Sequence, residues 1–270
     1  MLKTERMDRV RAALRAQGLT QMIVCDPKSV WYLTGVAVEP YERLLALYLP
    51  TEGEPVLFLN RLFNVPEPPC RTVWHTDTDK PVAQIAEVVD AGRPLGIDKE
   101  WPAKFLIPLM EIHPGMQVVL SSDCVDDCRA CKDAEEQTLM REASRINDAV
   151  NEAAKHYIKA GMTEREVAEF IDAQFRAHGC EGPSFTTIVS FGANAADPHH
   201  EPDDTVLKEG DCVLFDMGCV KSRYCSDMTR TWFCGQPTEK QAAVHDLVRR
   251  ANAAAEAIIK PGVKLCELDA

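Results

Sequence analysis

Two β-prone runs, residues 212–217 and 224–233, each carry one aspartate, and only the six residues 218–223 separate them. A connection that short joins antiparallel neighbours, so the runs read as a hairpin. With the turn centred between Lys221 and Ser222, Asp216 falls opposite Asp227 on one face, with Cβ atoms ~5 Å apart. Opposed carboxylates repel, so a fold containing this hairpin must leave the pair in water or bring a cation to it. Lys or Arg is one source, with Arg223 and Arg230 nearby, but strand alternation puts Arg230 on the face opposite to Asp227. Divalent metal is the other, because two ions ~3.5–4 Å apart held by carboxylates match this separation. Two solvated aspartates beside a turn are the plainer alternative.

The chain ahead of the hairpin alternates helix and strand. Leu2, Met7, Val10 and Leu14 recur at helical spacing and predict a helix over residues 2–17, closed by Gly18. Short strands are expected at 22–25, 44–49, 56–59, 95–97 and 117–120, helices at 82–91 and 103–112, and a turn at Asp26-Pro27. This is an α/β pattern. The polar stretch 121–133 marks a boundary, dividing the 270 residues into domains at 1–127 and 128–270. In the second, a long helix over 134–160 precedes Thr163-Glu164-Arg165-Glu166, a capping box that opens another helix, closed at Gly179. A strand at 186–190 and a loop containing Pro198-His199-His200-Glu201-Pro202 lead into the hairpin. Thr238-Glu239-Lys240-Gln241 then caps a third helix, which stops before Pro261-Gly262.

One segment returns. Ile158-Lys159-Ala160-Gly161-Met162, with Glu166-Val167 beyond it, is echoed by Ile259-Lys260-Pro261-Gly262-Val263, with Glu267-Leu268 beyond it, roughly 100 residues later. Read as a duplication, the second copy has barely begun at Ala270, and the sequence is expected to be part of a longer polypeptide.

Charge narrows the partners. Thirty Lys and Arg against 42 Asp and Glu give a net charge of -12, which repels phosphate backbones and anionic membranes, so neither nucleic acid nor membrane is expected. The longest apolar run, 44–49, is far below the ~20 residues that cross a bilayer. The N-terminal stretch lacks the apolar block of a secretory signal, which predicts a cytoplasmic protein. The cysteine count of 11 is odd, and reduced thiols are expected rather than a disulfide framework. Cys124, Cys128 and Cys131 have the C-x3-C-x2-C spacing of radical S-adenosylmethionine enzymes, a competing reading that carries an iron–sulfur cluster.

In order and spacing, three segments resemble the pita-bread metallopeptidases, and within them the Xaa-Pro aminopeptidase and prolidase group. Residues 187–202 resemble the family segment ending in Pro-His-His/Tyr-x-Pro. Residues 211–218 resemble its Gly-Asp-x-hydrophobic-x-x-Asp-x-Gly strand, and Tyr224-Cys225-Ser226-Asp227-Met228-Thr229-Arg230-Thr231 its Tyr-x-Ser-Asp-x-Thr-Arg-Thr strand. Further out, Ser29-Val30-Trp31-Tyr32-Leu33-Thr34-Gly35 is similar to a segment of the creatinase-type N-terminal domain. Arg129-Ala130-Cys131-Lys132-Asp133, with Glu136, is similar to the linker into the catalytic domain.

The resemblance implies an α/β (α+β) chain: a creatinase-type N-terminal domain at 1–127, then the N-terminal part of a pita-bread domain at 128–270. It implies metal-dependent hydrolysis of Xaa-Pro bonds by a homodimer, on short peptides with proline at the second position. Two divalent ions, Mn2+ before Co2+ or Zn2+, would activate water. Asp216 and Asp227 carry over as metal ligands, His199 as the catalytic imidazole, Phe185 and His200 as substrate contacts and Thr229 as a hydroxyl supporting the ligands. The family's remaining ligands, a His in a Gly-rich His-Gly-x-Gly-His segment and two later Glu residues, have no counterpart here, so the 270-residue chain alone is expected to be inactive. A non-catalytic peptide-binding or dimerisation module of the same fold is one alternative. A creatinase-like amidinohydrolase, which works without metal, is the other.

Overall fold

The computed structural model describes residues 2–269; residues 1 and 270, at the outer limits of the two expected domains, lie outside the described residues. The chain divides into compact units Met1–Lys132 and Asp133–Ala270. The division follows Lys132 rather than residue 127, because a helix occupies Asp123–Ala130 where the sequence reads as polar linker.

In the first unit, α1 (Thr4–Ala16), β1 (Gln21–Val24), α2 (Pro27–Thr34), β2 (Ala46–Pro50), β3 (Val56–Asn60), β4 (Arg71–His75), α3 (Pro81–Ala86), β5 (Leu95–Ile97), α4 (Ala103–Ile112), β6 (Val118–Leu120) and α5 (Asp123–Ala130) follow one another. The strands form one mixed sheet in the order β4-β3-β2-β1-β5-β6. Strand alternation explains its two cores. Met22, Val24, Leu47 and Leu57 face α1, α2 and α5, while Ile23, Ala46, Val56 and Phe58 face α3 and α4.

Asp26-Pro27 does not form a turn. Asp26 caps α2, accepting from Ser29 N at 2.9 Å, and Pro27 takes the first helical position, where its missing N–H costs nothing. The segments around Tyr32 and Arg129 meet: the Tyr32 hydroxyl donates to the Cys128 carbonyl at 3.1 Å, and Arg129 Nη1 donates to Ser29 Oγ at 3.1 Å. Helix α5 sorts the three cysteines. Cys124 is buried in the core, Cys128 packs against that core and Cys131 is exposed. Among the described residues these three thiols do not form a compact group that could hold a single metal ion.

The second unit contains α6 (Ala134–Tyr157), α7 (Glu164–Ala177), β7 (Gly182–Pro183), β8 (Ile188–Phe191), β9 (Cys212–Met217), β10 (Cys219–Lys221), β11 (Tyr224–Cys225), β12 (Met228–Phe233), α8 (Glu239–Ile258) and α9 (Leu265–Leu268). Strand β9 lies between β8 and β12, both antiparallel to it. Val213, Phe215 and Met217 point from β9 into a core with Ala143, Val150 and Ala154 of α6 and Val167, Ile171 and Phe175 of α7. Cys212, Leu214 and Asp216 occupy the other face. That alternation keeps a carboxylate out of the core while fixing its backbone rigidly.

The predicted second strand is broken in two. Strand β10 pairs with β11 on one side and β7 on the other in a separate small sheet, and the chain leaves β11 at Ser226 before re-entering the main sheet at Met228. Gly218 allows this crossing, because a Cβ there would run into the Ser226 carbonyl and the Ser184 hydroxyl. The echoed segments share a backbone conformation. Ile158 and Ile259 both end a helix in extended geometry, and Gly161 and Gly262 have φ of 96° and 92°. Helix α6 buries five residues, whereas α8 buries none and leaves Val244, Leu247 and Val248 exposed. Among the described residues no helix is long and apolar enough to cross a membrane.

Candidate functional site

The hairpin turn lies one residue later than the sequence reading places it. Lys221 pairs with Tyr224, leaving Ser222 and Arg223 as the two turn residues, with φ of 50° and 67°. Positive φ at both positions gives the twist of a two-residue hairpin, but neither residue is the glycine or asparagine that would announce it. The register shifts accordingly: Asp216 faces Thr229, not Asp227, and Asp227 lies diagonally across, two positions before Thr229. The two carboxyl groups remain close enough for Asp216 to raise the pKa of Asp227. Two-residue periodicity keeps a diagonal neighbour on the same face.

Loss of water around its carboxyl, and then the adjacent Asp216 carboxyl, raise Asp227 above its ordinary value. The residue itself stays exposed, so solvent screening limits that effect. Asp216 Oδ1 is buried and accepts no hydrogen bond. Among the described residues no Lys or Arg pairs with either aspartate. Arg230 stands opposite Phe215 in the register and donates to the Thr229 carbonyl at 2.8 Å. A pair of hard oxygen donors, one with an unsatisfied buried atom and no organic counter-cation, fits a divalent cation.

Phe185 is half-buried in the connection between β7 and β8. Its neighbour Ser184 donates through N to the Gly218 carbonyl at 3.0 Å and through Oγ to the Ser226 carbonyl at 2.8 Å, tying the connection to the residue before Asp227.

His200 belongs to a second centre built on Glu164, the first residue of α7. Its carboxylate is fully buried. Oε1 accepts from Phe191 N at 2.7 Å and Asn194 Nδ2 at 3.0 Å, and Oε2 from His200 Nε2 at 2.6 Å and Asp203 N at 3.1 Å. Asp203 is held below the usual carboxylate range by hydrogen bonds from the Thr205 side chain and backbone. Glu164, His200 and Asp203 place one potential metal-binding atom each within 4.8 Å of one another. Four donors already surround the Glu164 carboxylate, so the trio forms a hydrogen-bond hub. One ring nitrogen of His200 is thereby committed to Glu164, leaving Nδ1 for any substrate. His199, the next residue back, is exposed, and its backbone N–H donates to Asp197 Oδ1 at 2.9 Å. The structure thus brings Asp216, Asp227 and Thr229 together and attaches His200 to a different group. Sequence reasoning sees Glu164 only as part of a capping box. Nothing local marks its role, since its partners lie 27 to 39 positions away.

Comparison with known proteins agrees with this architecture. The profile of metallopeptidase family M24 matches residues 138–270, and that of the creatinase/prolidase N-terminal domain matches residues 6–131. An uncharacterized peptidase of Staphylococcus aureus is 34% identical over 91% of this chain and 71% of its own length. Among solved structures, dipeptidase PepE from Mycobacterium ulcerans superposes with a TM-score of 0.90 at 30% identity, over 98% of this chain and 74% of its own. Prolidase from Thermococcus sibiricus gives 0.89 at 29%, over 97% and 74%. The chain belongs to metallopeptidase family M24 and carries a creatinase/prolidase-type N-terminal domain.

Proposed function

We propose that this chain carries part of the active site of a metal-dependent exopeptidase that hydrolyses Xaa-Pro bonds. The carrying observation is the Asp216–Asp227 carboxyl pair on the open face of β9 and β12, with its buried, unbonded Oδ1. Asp216 and Asp227 would hold divalent metal, two ions with Mn2+ preferred. Bound there, divalent metal would supply Lewis acidity and lower the pKa of water towards neutrality.

The protein's own residues do the rest. Thr229, directly across from Asp216 in the strand register, would support that carboxylate once metal is held there. His199 extends an unburied imidazole that gives a proton to the departing imide nitrogen. Phe185 would line the substrate pocket, and Nδ1 of His200 would meet the peptide. A bond to proline has no N–H, so recognition depends on such a pocket and not on the backbone donor used for other peptides. We place this activity in a cytoplasmic homodimer.

Mn2+ binding tests the ligand assignment. Wild type should bind and Asp216→Ala should bind at least ~10-fold more weakly, a loss of about 1.4 kcal/mol; equal binding refutes it. The 270 residues hold two of the five ligands implied by the resemblance, so this chain alone should not turn over Xaa-Pro dipeptides. Turnover undiminished by Asp216→Ala would overturn the reading.

A further inference from the structure

We propose that Glu164 is the positioning residue of the histidine loop: its buried carboxylate clamps residues 191–203 at both ends and, by holding His200, fixes where His199 is presented. The inference rests on the reading of His199 as the group that meets the leaving nitrogen. It assigns a task to a carboxylate that the proposed chemistry does not otherwise use.

The loop leaves β8 at Phe191 and passes through a short 3-10 turn, Gly192–Ala196, before the two histidines. It has little core of its own: none of the residues in that turn is buried, and residues 196–199 are exposed. Such a segment would ordinarily sample many conformations. Glu164 restrains it at four points spread along its length. Phe191 N secures the start, the Asn194 side chain the turn, His200 Nε2 the residue after His199, and Asp203 N the end. Glu164 can do this because α7 begins there, on a helix whose Thr163–Glu166 capping box and buried Val167, Ile171 and Phe175 anchor it to the core. A carboxylate is the side chain required, since only it offers two oxygens that each accept two donors. Because both oxygens are acceptors, the His200 proton resides on Nε2, which also fixes the orientation of that ring. A hydroxyl or amide at position 164 could not satisfy the same four donors.

The test uses the full chain, isotopically labelled for NMR, in wild type, Glu164→Gln, His200→Ala and His200→Gln. In Glu164→Gln, amide exchange at Phe191 and Asp203 should accelerate ~10-fold or more, about 1.4 kcal/mol, while amides of β9 and β12 keep their protection. The His199 ring signals should move towards those of an unrestrained histidine at temperatures where the variant remains folded, a change that lost stability alone does not produce. His200→Ala removes one partner from a partly exposed position and should release His199 in the same way. His200→Gln retains a side-chain N–H donor and should restore both readouts. Unchanged exchange and His199 signals in folded Glu164→Gln overturn the proposal. If that variant is unfolded, unchanged signals in His200→Ala overturn it equally. Mn2+ alone, added to wild type, separates this inference from the functional reading. Failure of Mn2+ to perturb Asp216 and Asp227 refutes the metal site, while the exchange and ring-signal results decide the clamp.

Discussion

Asp227→Asn should make the metal-free protein more stable at neutral pH. Partial loss of water, and then the proximity of Asp216, raise the pKa of Asp227 in the folded chain. The folded state therefore binds the Asp227 proton more tightly than the unfolded state does. Stability falls as pH climbs from about 3.9, the unfolded carboxylate value, through the raised folded pKa, and stays lower above it. Two unit charges about 4 Å apart interact by about 4 kcal/mol at an effective dielectric of 20 and about 1 kcal/mol in water. Asp227 is exposed, so the lower figure applies, and the asparagine variant should gain about 1 kcal/mol, or about 3 °C in Tm, at pH 7. The assay is thermal unfolding in chelator at pH 7 and at about pH 3, below both pKa values, where the gain should vanish. Adding Mn2+ at pH 7 should reverse the order, because wild type gains ligand-linked stability that the variant lacks. A variant no more stable than wild type at pH 7, or equally favoured at both pH values, would refute the argument that these carboxylates repel one another.

Gly218→Ala forces a Cβ into the Ser226 carbonyl and should cost about 2–3 kcal/mol, read as a lower denaturant midpoint; an unchanged midpoint would contradict the close crossing of β10 and β11. The double substitution Ser222→Asn, Arg223→Gly supplies residues suited to positive φ at both turn positions and should add about 1 kcal/mol in the same measurement. A loss of stability would contradict the two-residue turn. Thiol labelling should modify exposed Cys131, Cys225 and Cys266 before buried Cys25, Cys124 and Cys219. Burial pushes Cys124 up to about 11. Rapid reaction at Cys124, or iron in anaerobically purified protein, would revive the cluster reading.

Much of the architecture is legible in residue order. Periodicity of 3.6 in Met7, Val10 and Leu14, the capping boxes at Thr163 and Thr238, and alternation through Val213, Phe215 and Met217 each act within a few residues, so local sequence reports them. The same locality hides β4, half-buried and unremarkable in composition, and the start of α2, where Asp26-Pro27 can cap a helix as readily as it can make a turn. Motif order alone also placed the chain among the pita-bread peptidases, consistent with the family matches to both units.

The site divides along the same line. Parity along one continuous strand would put Asp216 and Asp227 on one face at either register, although Asp227 lies in the crossing just ahead of β12. Which residue stands opposite Asp216 depends on positive φ at Ser222 and Arg223, two residues whose chemistry does not demand it, and tertiary packing decided that question. The assignment of His200 to Glu164 had no sequence signal at all, because a buried carboxylate gathers donors through space from positions 27 to 39 residues away. Sequence by itself determined most of the long elements, their amphipathic faces and the aspartates carried near one strand pair. Only the folded chain could decide partners, since side-chain direction is set locally but contact is set by how distant segments cross.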